Sequence, residues 1–315
     1  VRLTLQETNL KNLLASFGTL IETTDPTALT RASGELGVKF SGTTLDIVPL
    51  KIKLDDTSLN GEINIASFAG PEVRAAIDLD ELDLDRYLPP QSEQPAPVPP
   101  TTAAAAGAQM IPVETLRGLN VNGKLTIDRL KAAQLRSTDI VIQLAAKDGL
   151  VRVHPASAKM YQGQYQGDVS LDVRGKQPKI SLNEKLAGAQ GGPLLQDMLG
   201  EARLSGTTQA SAQLTALGQT PDEFKQTLNG NLAFAFTDGA VQGFNLAAMI
   251  RKAQAQLKGQ PLPSESEPNQ TDFSELTGSA TVTNGVIRNQ DLAAKSPLLR
   301  VEGKGSVDLP KEALD

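Results

Sequence analysis

The segment from Asp139 to Val153 reads DIVIQLAAKDGLVRV. Ile140, Ile142 and Leu144 recur at every second residue, which puts their side chains on one face of a strand. Asp148-Gly149 then suits the positive φ angles of a tight hairpin, and Val151 and Val153 follow in a second strand. These two strands are expected to be antiparallel neighbours with one wet face, because parallel sheets buried on both faces read as unbroken apolar runs.

The same alternation spreads outward through the chain. It recurs at Leu36, Val38 and Phe40; at Leu50, Ile52 and Leu54; at Leu125 and Ile127; at Val169, Leu171 and Val173; and at Leu232, Phe234 and Phe236. Asp238-Gly239 and Asn284-Gly285 predict two more hairpins. A loose Leu-x-Gly phrase repeats at Leu59, Leu204, Leu228 and Leu276 without a fixed period. Helices are few. Asn9 caps one expected near 9–17, with Leu10, Leu13, Leu14 and Phe17 on one side and Gly18 as its stop. Thr220-Pro221-Asp222-Glu223 offers a cap, a first-turn proline and a capping-box glutamate for a helix near 221–229, stopped by Gly230. Leu246, Met249, Ile250, Ala253 and Leu257 form one stripe of a helix near 245–257, expected to pack on its own sheet, with a membrane-surface or gate role as the alternative, and Gly192 to Leu199 predicts a short fourth. Two stretches are too rich in Pro, Ala, Ser and Gln to build a core. Residues 89–110 are therefore expected to be a disordered linker between a β-rich part at 1–88 and a second at 111–315, and 258–272 a flexible loop.

Composition excludes several functions. Of the 315 residues 39% are hydrophobic but only 3% aromatic, with no Trp, which argues against stacking platforms for bases or sugars. A net charge of −6 offers no long-range attraction for a phosphate backbone, so nucleic acid is not an expected partner. Cysteine is absent and His154 is the single histidine, so Ser-His-Asp, Cys-His and multi-histidine metal arrangements cannot be assembled. His154 reads as a surface or sheet-end residue rather than a proton-transfer group. The acidic run Asp78, Asp80, Glu81, Asp83 and Asp85 alternates with apolar residues and lacks the spacing of a calcium loop, so it reads as the wet face of a strand. Gly163 to Gly167 and Gly303 to Gly305 read as turns or strand glycines rather than phosphate loops. Asn269-Gln270-Thr271 is formally a glycosylation acceptor in a polar stretch. No catalytic residue, metal site or cofactor is expected, and the protein is expected not to be an enzyme. No stretch of about 18 apolar residues occurs, and the chain opens on Val1 without a signal peptide, so any membrane anchor is expected outside it.

One-sided apolar strands outnumber the helices available to cover them. A large apolar side chain left in water forgoes roughly 1.5–3 kcal/mol. Something should therefore cover that face: a second sheet, the curling of one sheet into a groove, a protein partner or lipid acyl chains.

Several phrases, in order, carry a resemblance. Leu54 to Gly61 (LDDTSLNG), Ile77 to Pro90 (IDLDELDLDRYLPP) before a Pro/Ala-rich break, Asp148 to Gly167 (DGLVRVHPASAKMYQGQYQG), Leu228 to Leu246 (LNGNLAFAFTDGAVQGFNL) and Gly303 to Leu309 (GKGSVDL) together resemble the C-terminal periplasmic portion of AsmA-family proteins. The resemblance implies a mainly β, α+β fold: a long antiparallel, curled sheet with an apolar groove-like face and a few short helices packed on or capping it. It also implies a plan similar to bridge-like lipid-transfer proteins, anchored in the bacterial inner membrane, extending into the periplasm and involved in outer-membrane biogenesis. On that reading phospholipid or another acyl-chain lipid is the partner, lying on Leu125, Ile127, Ile140, Ile142, Leu144, Val169, Leu171, Leu232, Phe234 and Phe236. The alternative is an envelope scaffold whose partners are other envelope proteins.

Overall fold

The structure is a computed structural model that describes residues 1–68, 70–90, 111–261, 268–296 and 300–314. Most of the 89–110 linker and the centre of the 258–272 loop lie outside the described residues. The strands, in chain order, are β1 (Arg2–Thr8), β2 (Ala32–Ser41), β3 (Thr44–Leu54), β4 (Thr57–Ala66), β5 (Glu72–Asp83), β6 (Asn120–Ala132), β7 (Leu135–Lys147) and β8 (Leu150–Met160). They continue as β9 (Gly163–Asp172), β10 (Lys179–Gln190), β11 (Thr207–Leu217), β12 (Asn229–Gln242), β13 (Gln270–Thr283), β14 (Val286–Lys295), β15 (Arg300–Asp308) and β16 (Ala313–Leu314). Every strand lies beside the one that follows it in the chain, giving a mixed, open sheet that begins at β1 and ends at β16. The protein is thus mainly β. Two compact units divide it: Val1–Lys159 with Gln166–Leu182 and Thr215–Thr227, and Met160–Tyr165 with Asn183–Leu214 and Leu228–Asp315. The first unit contains residues on both sides of the 89–110 linker.

The two dipeptides Asp148-Gly149 and Asn284-Gly285 form the expected tight connections, β7 to β8 and β13 to β14, with φ of +50° and +79° in the first and +48° and +78° in the second. Asp238-Gly239 is a correction. It sits inside β12, whose register with β13 is the same on both sides of it, from Phe236 opposite Leu276 to Gly239 opposite Phe273, with Asp238 itself at φ +50°. A Cβ on Gly239 would stand 2.5 Å from the Phe273 ring, so this glycine answers to close packing rather than to a turn.

The all-antiparallel expectation also needs correction. β5 and β6 pair in parallel, with Ile77 beside Leu125 and Leu79 beside Ile127. A parallel pair requires the chain to cross back before the second strand starts. Here the connection includes a 3-10 turn at Leu84–Arg86 and the helix α2 (Val113–Arg117). The acidic run helps fix the pairing: Glu81 meets Arg129 at 2.6 Å, Asp83 meets Lys131 at 3.2 Å, and the Thr126 hydroxyl donates to the Asp78 carboxylate. Part of what reads as a solvated face is therefore a row of cross-strand charge pairs.

The other helices among the described residues are α1 (Leu10–Ser16), α3 (Gly191–Leu199), α4 (Pro221–Thr227) and α5 (Leu246–Leu257). Their caps follow from sequence. Asn9 Oδ1 accepts the Asn12 N–H at 2.9 Å, and Asn245 Oδ1 accepts the Ala248 N–H at 2.7 Å. At α4 the Thr220 hydroxyl accepts the Glu223 N–H at 3.3 Å, while Glu223 reaches back to accept the Gln219 N–H at 2.6 Å. Gly230, expected to end α4, is a β12 residue instead, its missing side chain leaving room for the Gln213 carbonyl.

Candidate functional site

The strand registers of the first unit assemble the alternating residues into transverse rows. One row runs Leu3, Leu36, Leu50, Gly61, Ile77, Leu125, Ile142 and Ala156 from β1 to β8. A second runs Leu5, Gly34, Ile52, Leu59, Leu79, Ile127 and Ile140. A third joins Val38, Ile47, Ile63, Ala75, Gly123, Leu144 and Val153, and a fourth joins Phe40, Leu45, Ile65, Val73, Val121, Ala146 and Val151. Bulges in β2–β3 and β3–β4 shift the pairing between Leu36 and Val38 and between Ile47 and Leu50, and apolar partners still meet on each side of the shift. The parallel pair interrupts none of the rows, because the side chains of parallel partners also share a face.

This face is only partly covered. Leu50, Ile127 and Ile140 are buried, whereas Leu36, Leu59, Ile77, Leu79, Leu125, Ile142 and Leu144 are half-buried and Leu3, Leu5, Phe40 and Ile52 are exposed. The structure therefore brings Leu125, Ile127, Ile140, Ile142 and Leu144 together on one continuous apolar surface. Val169 and Leu171 lie half-buried on β9 in the same unit.

Leu232, Phe234 and Phe236 belong to the second unit and share one face of β12, opposite Ala280, Gly278 and Leu276 of β13. Their surroundings differ. Phe234 is 38% exposed, its ring lying over Gly278. Phe236 is buried, and a Cβ on Gly191 at the start of α3 would stand 2.7 Å from its ring. Phe236 is thus covered by the chain's own helix, with the two rings edge-on at 6.1 Å.

The opposite face of the first unit is polar, and a cleft of about 870 Å³ opens on it. Lys39, Asp46, Asn64, Arg74, Lys124 and Gln143 contribute to its lining, all in the register that alternates with the apolar rows. Asn64 Nδ2 donates to Asp46 Oδ1 at 2.6 Å, and Arg74 pairs with Glu72 at 2.7 Å.

His154 and its neighbours are engaged in structure. His154 Nδ1 lies 3.1 Å from Asp168, whose carboxyl is held below its ordinary range by a hydrogen bond from Arg152. Among the described residues no group of three or more His, Asp or Glu side chains is placed to hold a metal.

One cluster escaped the residue-level reading. Asp55 begins the β3–β4 turn at φ +53° and is 2% exposed. Its carboxylate accepts the N–H groups of Leu29, Thr30 and Arg31 at 2.7, 3.0 and 3.1 Å, and the Tyr87 hydroxyl at 3.1 Å. Beside it Arg86 donates to Asp25 at 2.7 Å and to Asp56 at 2.9 Å, and Arg31 meets Asp56 at 2.9 Å. Hydrogen bonds from the Thr27 hydroxyl and N–H, then from Arg86, hold the Asp25 carboxyl at about 2. The cluster clasps three separate segments, residues 23–31, the β3–β4 turn and the chain leaving β5. Its members include the Asp-Asp of LDDTSLNG and the Arg-Tyr of DLDRYLPP. An Asp-Asp pair between two alternating runs was the available signal, marking a turn whose first carboxylate can bind nearby amides.

An open, mixed sheet of sequentially paired strands, clasped at its β3–β4 turn, defines a mainly β protein. The chain belongs to the AsmA family, whose model matches residues 4–292. It is similar to Protein AsmA of Escherichia coli (strain K12), at 21% identity over 277 residues, which is 84% of this chain and 45% of that protein. The chain therefore spans less than half the length of that relative. No solved structure matches it.

Proposed function

We propose that the apolar face of the first unit holds phospholipid acyl chains and guides them across the strands, without chemistry. The observation that carries this reading is the set of apolar rows running from β1 to β8 while their members stay half-buried or exposed. Acyl chains are driven onto such a surface by apolar burial, which is non-directional and tolerant of chain length. Head groups then remain near water. The described cleft belongs to the polar face, so the lipid path is a surface of rows rather than that cavity, and its closure into a groove is part of the proposal.

Family membership supports a role in the bacterial envelope and in outer-membrane biogenesis. No helix among the described residues is long and apolar enough to cross a membrane. Placement on the periplasmic side of the inner membrane, through an anchor in another part of the protein, is the location this reading requires.

Photoreactive residues placed at Ile142 and Phe234 on the apolar face, and at Gln143 and Ala235 on the other, test the proposal in living cells. Lipid adducts at Ile142 and none at Gln143 are expected. Adducts at Phe234 would extend the path to the second unit. Lipid at Gln143 alone, or protein adducts alone at Ile142, would sink the reading; the second of these would leave an envelope scaffold in its place.

A further inference from the structure

Gly123 stands in the interior of β6, where glycine weakens a strand. Such a glycine marks a bulge, a main-chain conformation that other residues avoid, or the close approach of another main chain or a ligand. A bulge is absent here: the ladders to β5 and β7 both run without a shift from Val121 to Ile127. Its φ is not in the left-handed region. Nor does another main chain crowd it. Among the described residues, a Cβ on Gly123 would meet only the Ala75 carbonyl oxygen, at 3.7 Å, an ordinary contact. Gly34, Gly37 and Gly61 of the same sheet differ, since a Cβ on each would stand 2.8, 2.2 and 2.4 Å from the carbonyl oxygens of Lys51, Val48 and Ala76.

The missing side chain opens a notch in the apolar face of the first unit. Gly123 lies in one row with Ile63, Ala75 and Leu144. Its main chain also borders the polar cleft, but Asn122 and Lys124 take that side, so a Cβ on Gly123 would project to the apolar one. With Ala75 beside it, two neighbouring positions of the row lack a large side chain. Strands lie about 4.8 Å apart, which separates Ile63 from Leu144 by about 14 Å across the gap. Ile77 and Leu125 bound the notch on one side and Val73 and Val121 on the other, all of them half-buried.

We infer that Gly123 and Ala75 form a seat in which a lipid acyl chain comes closest to the sheet, with Gly123 the residue that positions it. This rests on the lipid reading of the apolar face and locates the chain within it. The side chains around the notch are apolar, so its occupant gains by burial and dispersion rather than by hydrogen bonds. A second sheet laid on this face would keep its main chain about 10 Å away and reach the notch with a side chain alone. A methylene chain is slender enough to lie in it and continue along the row. The glycine then exchanges some strand stability for the space that the chain fills.

Photoreactive residues at Leu144 and Ile142 of the full-length protein in living cells test this, with Gly123 in place and with Gly123→Ala or Gly123→Leu. Lipid adducts are expected at both sites when Gly123 is present. At Leu144 they should fall about threefold with Gly123→Ala and about tenfold with Gly123→Leu, the losses that displacing one or two methylenes would bring. Urea melts of the purified chain give the second readout. Gly123→Ala should raise the midpoint, because the added carbon has room and the unfolded chain loses entropy. A substitution that strengthens the fold while weakening lipid contact is the signature of a seat. Undiminished lipid at Leu144 in both variants overturns the inference and leaves the lipid reading standing. Absence of lipid at both sites with Gly123 in place overturns the two together. A lowered midpoint for Gly123→Ala, or protein adducts in place of lipid at Leu144, overturns the seat as well.

Discussion

Asp55 shows how much one buried carboxylate can organise. Three main-chain N–H groups and a phenol converge on it in a turn with left-handed backbone geometry. Removing the acceptor leaves buried donors unsatisfied, each at a cost of about 1–3 kcal/mol. Asp55→Ala is therefore expected to destabilise the first unit by about 3 kcal/mol or more, and Tyr87→Phe by about 1–2 kcal/mol, both read from urea midpoints. Acid should loosen the same clasp. The Asp25 carboxyl is depressed from 3.8 to about 2, and that of Asp56 is lowered chiefly by its hydrogen bond from Arg86. Depressed folded-state values contribute stability that is complete above the unfolded value and is lost as pH falls through the folded one. The urea midpoint should hold from neutral pH down to about 5 and fall between about 4 and 2. Arg86→Gln should flatten that fall, and a midpoint indifferent to pH over this range would contradict the clasp.

Among the elements, β5 and β6 carry the clearest lesson about what alternation encodes. The side-chain faces of Ile77, Leu79, Leu125 and Ile127 were legible because a strand's period is two residues. The direction of their pairing was not, since apolar partners share a face in parallel and antiparallel ladders alike. Cross-strand charges such as Glu81 with Arg129 carry more directional information, but only once a neighbour is known. This pair is exposed, so a double-mutant cycle should return a coupling below about 1 kcal/mol. Burial should separate residues of one row. Ile127→Ala and Ile140→Ala are expected to cost about 2–4 kcal/mol, and Ile52→Ala, exposed in the same row, less than about 1.5 kcal/mol, in denaturant melts. α5 shows the same limit: its stripe was plain in the sequence, but burial divides it, with Met249 and Leu257 exposed, Leu246 and Ile250 half-buried, and Ala255 buried outside the stripe. Asp238-Gly239 failed as a hairpin signal for a similar reason, because a glycine required by the Phe273 ring and one required by a turn read identically.

At the scale of the whole molecule, the sequential order of strands has a consequence for how the chain reaches its fold. Each strand finds its partners immediately before and after it, so most pairing closes only short loops and most hairpins can form by themselves. The β5–β6 pair must wait for the longest connection, across residues 84–119, to close, and the β12–β13 and β1–β2 pairs wait for those across 243–269 and 9–31. Pulse-labelled hydrogen exchange during refolding should protect Ile140–Ala146 with their β8 partners before Val73–Leu79 with theirs in β6. Vectorial assembly then becomes available to the protein: as the chain leaves a ribosome or a narrow pore, an already folded edge templates each arriving strand, and little of the sheet has to wait for the last residue to appear.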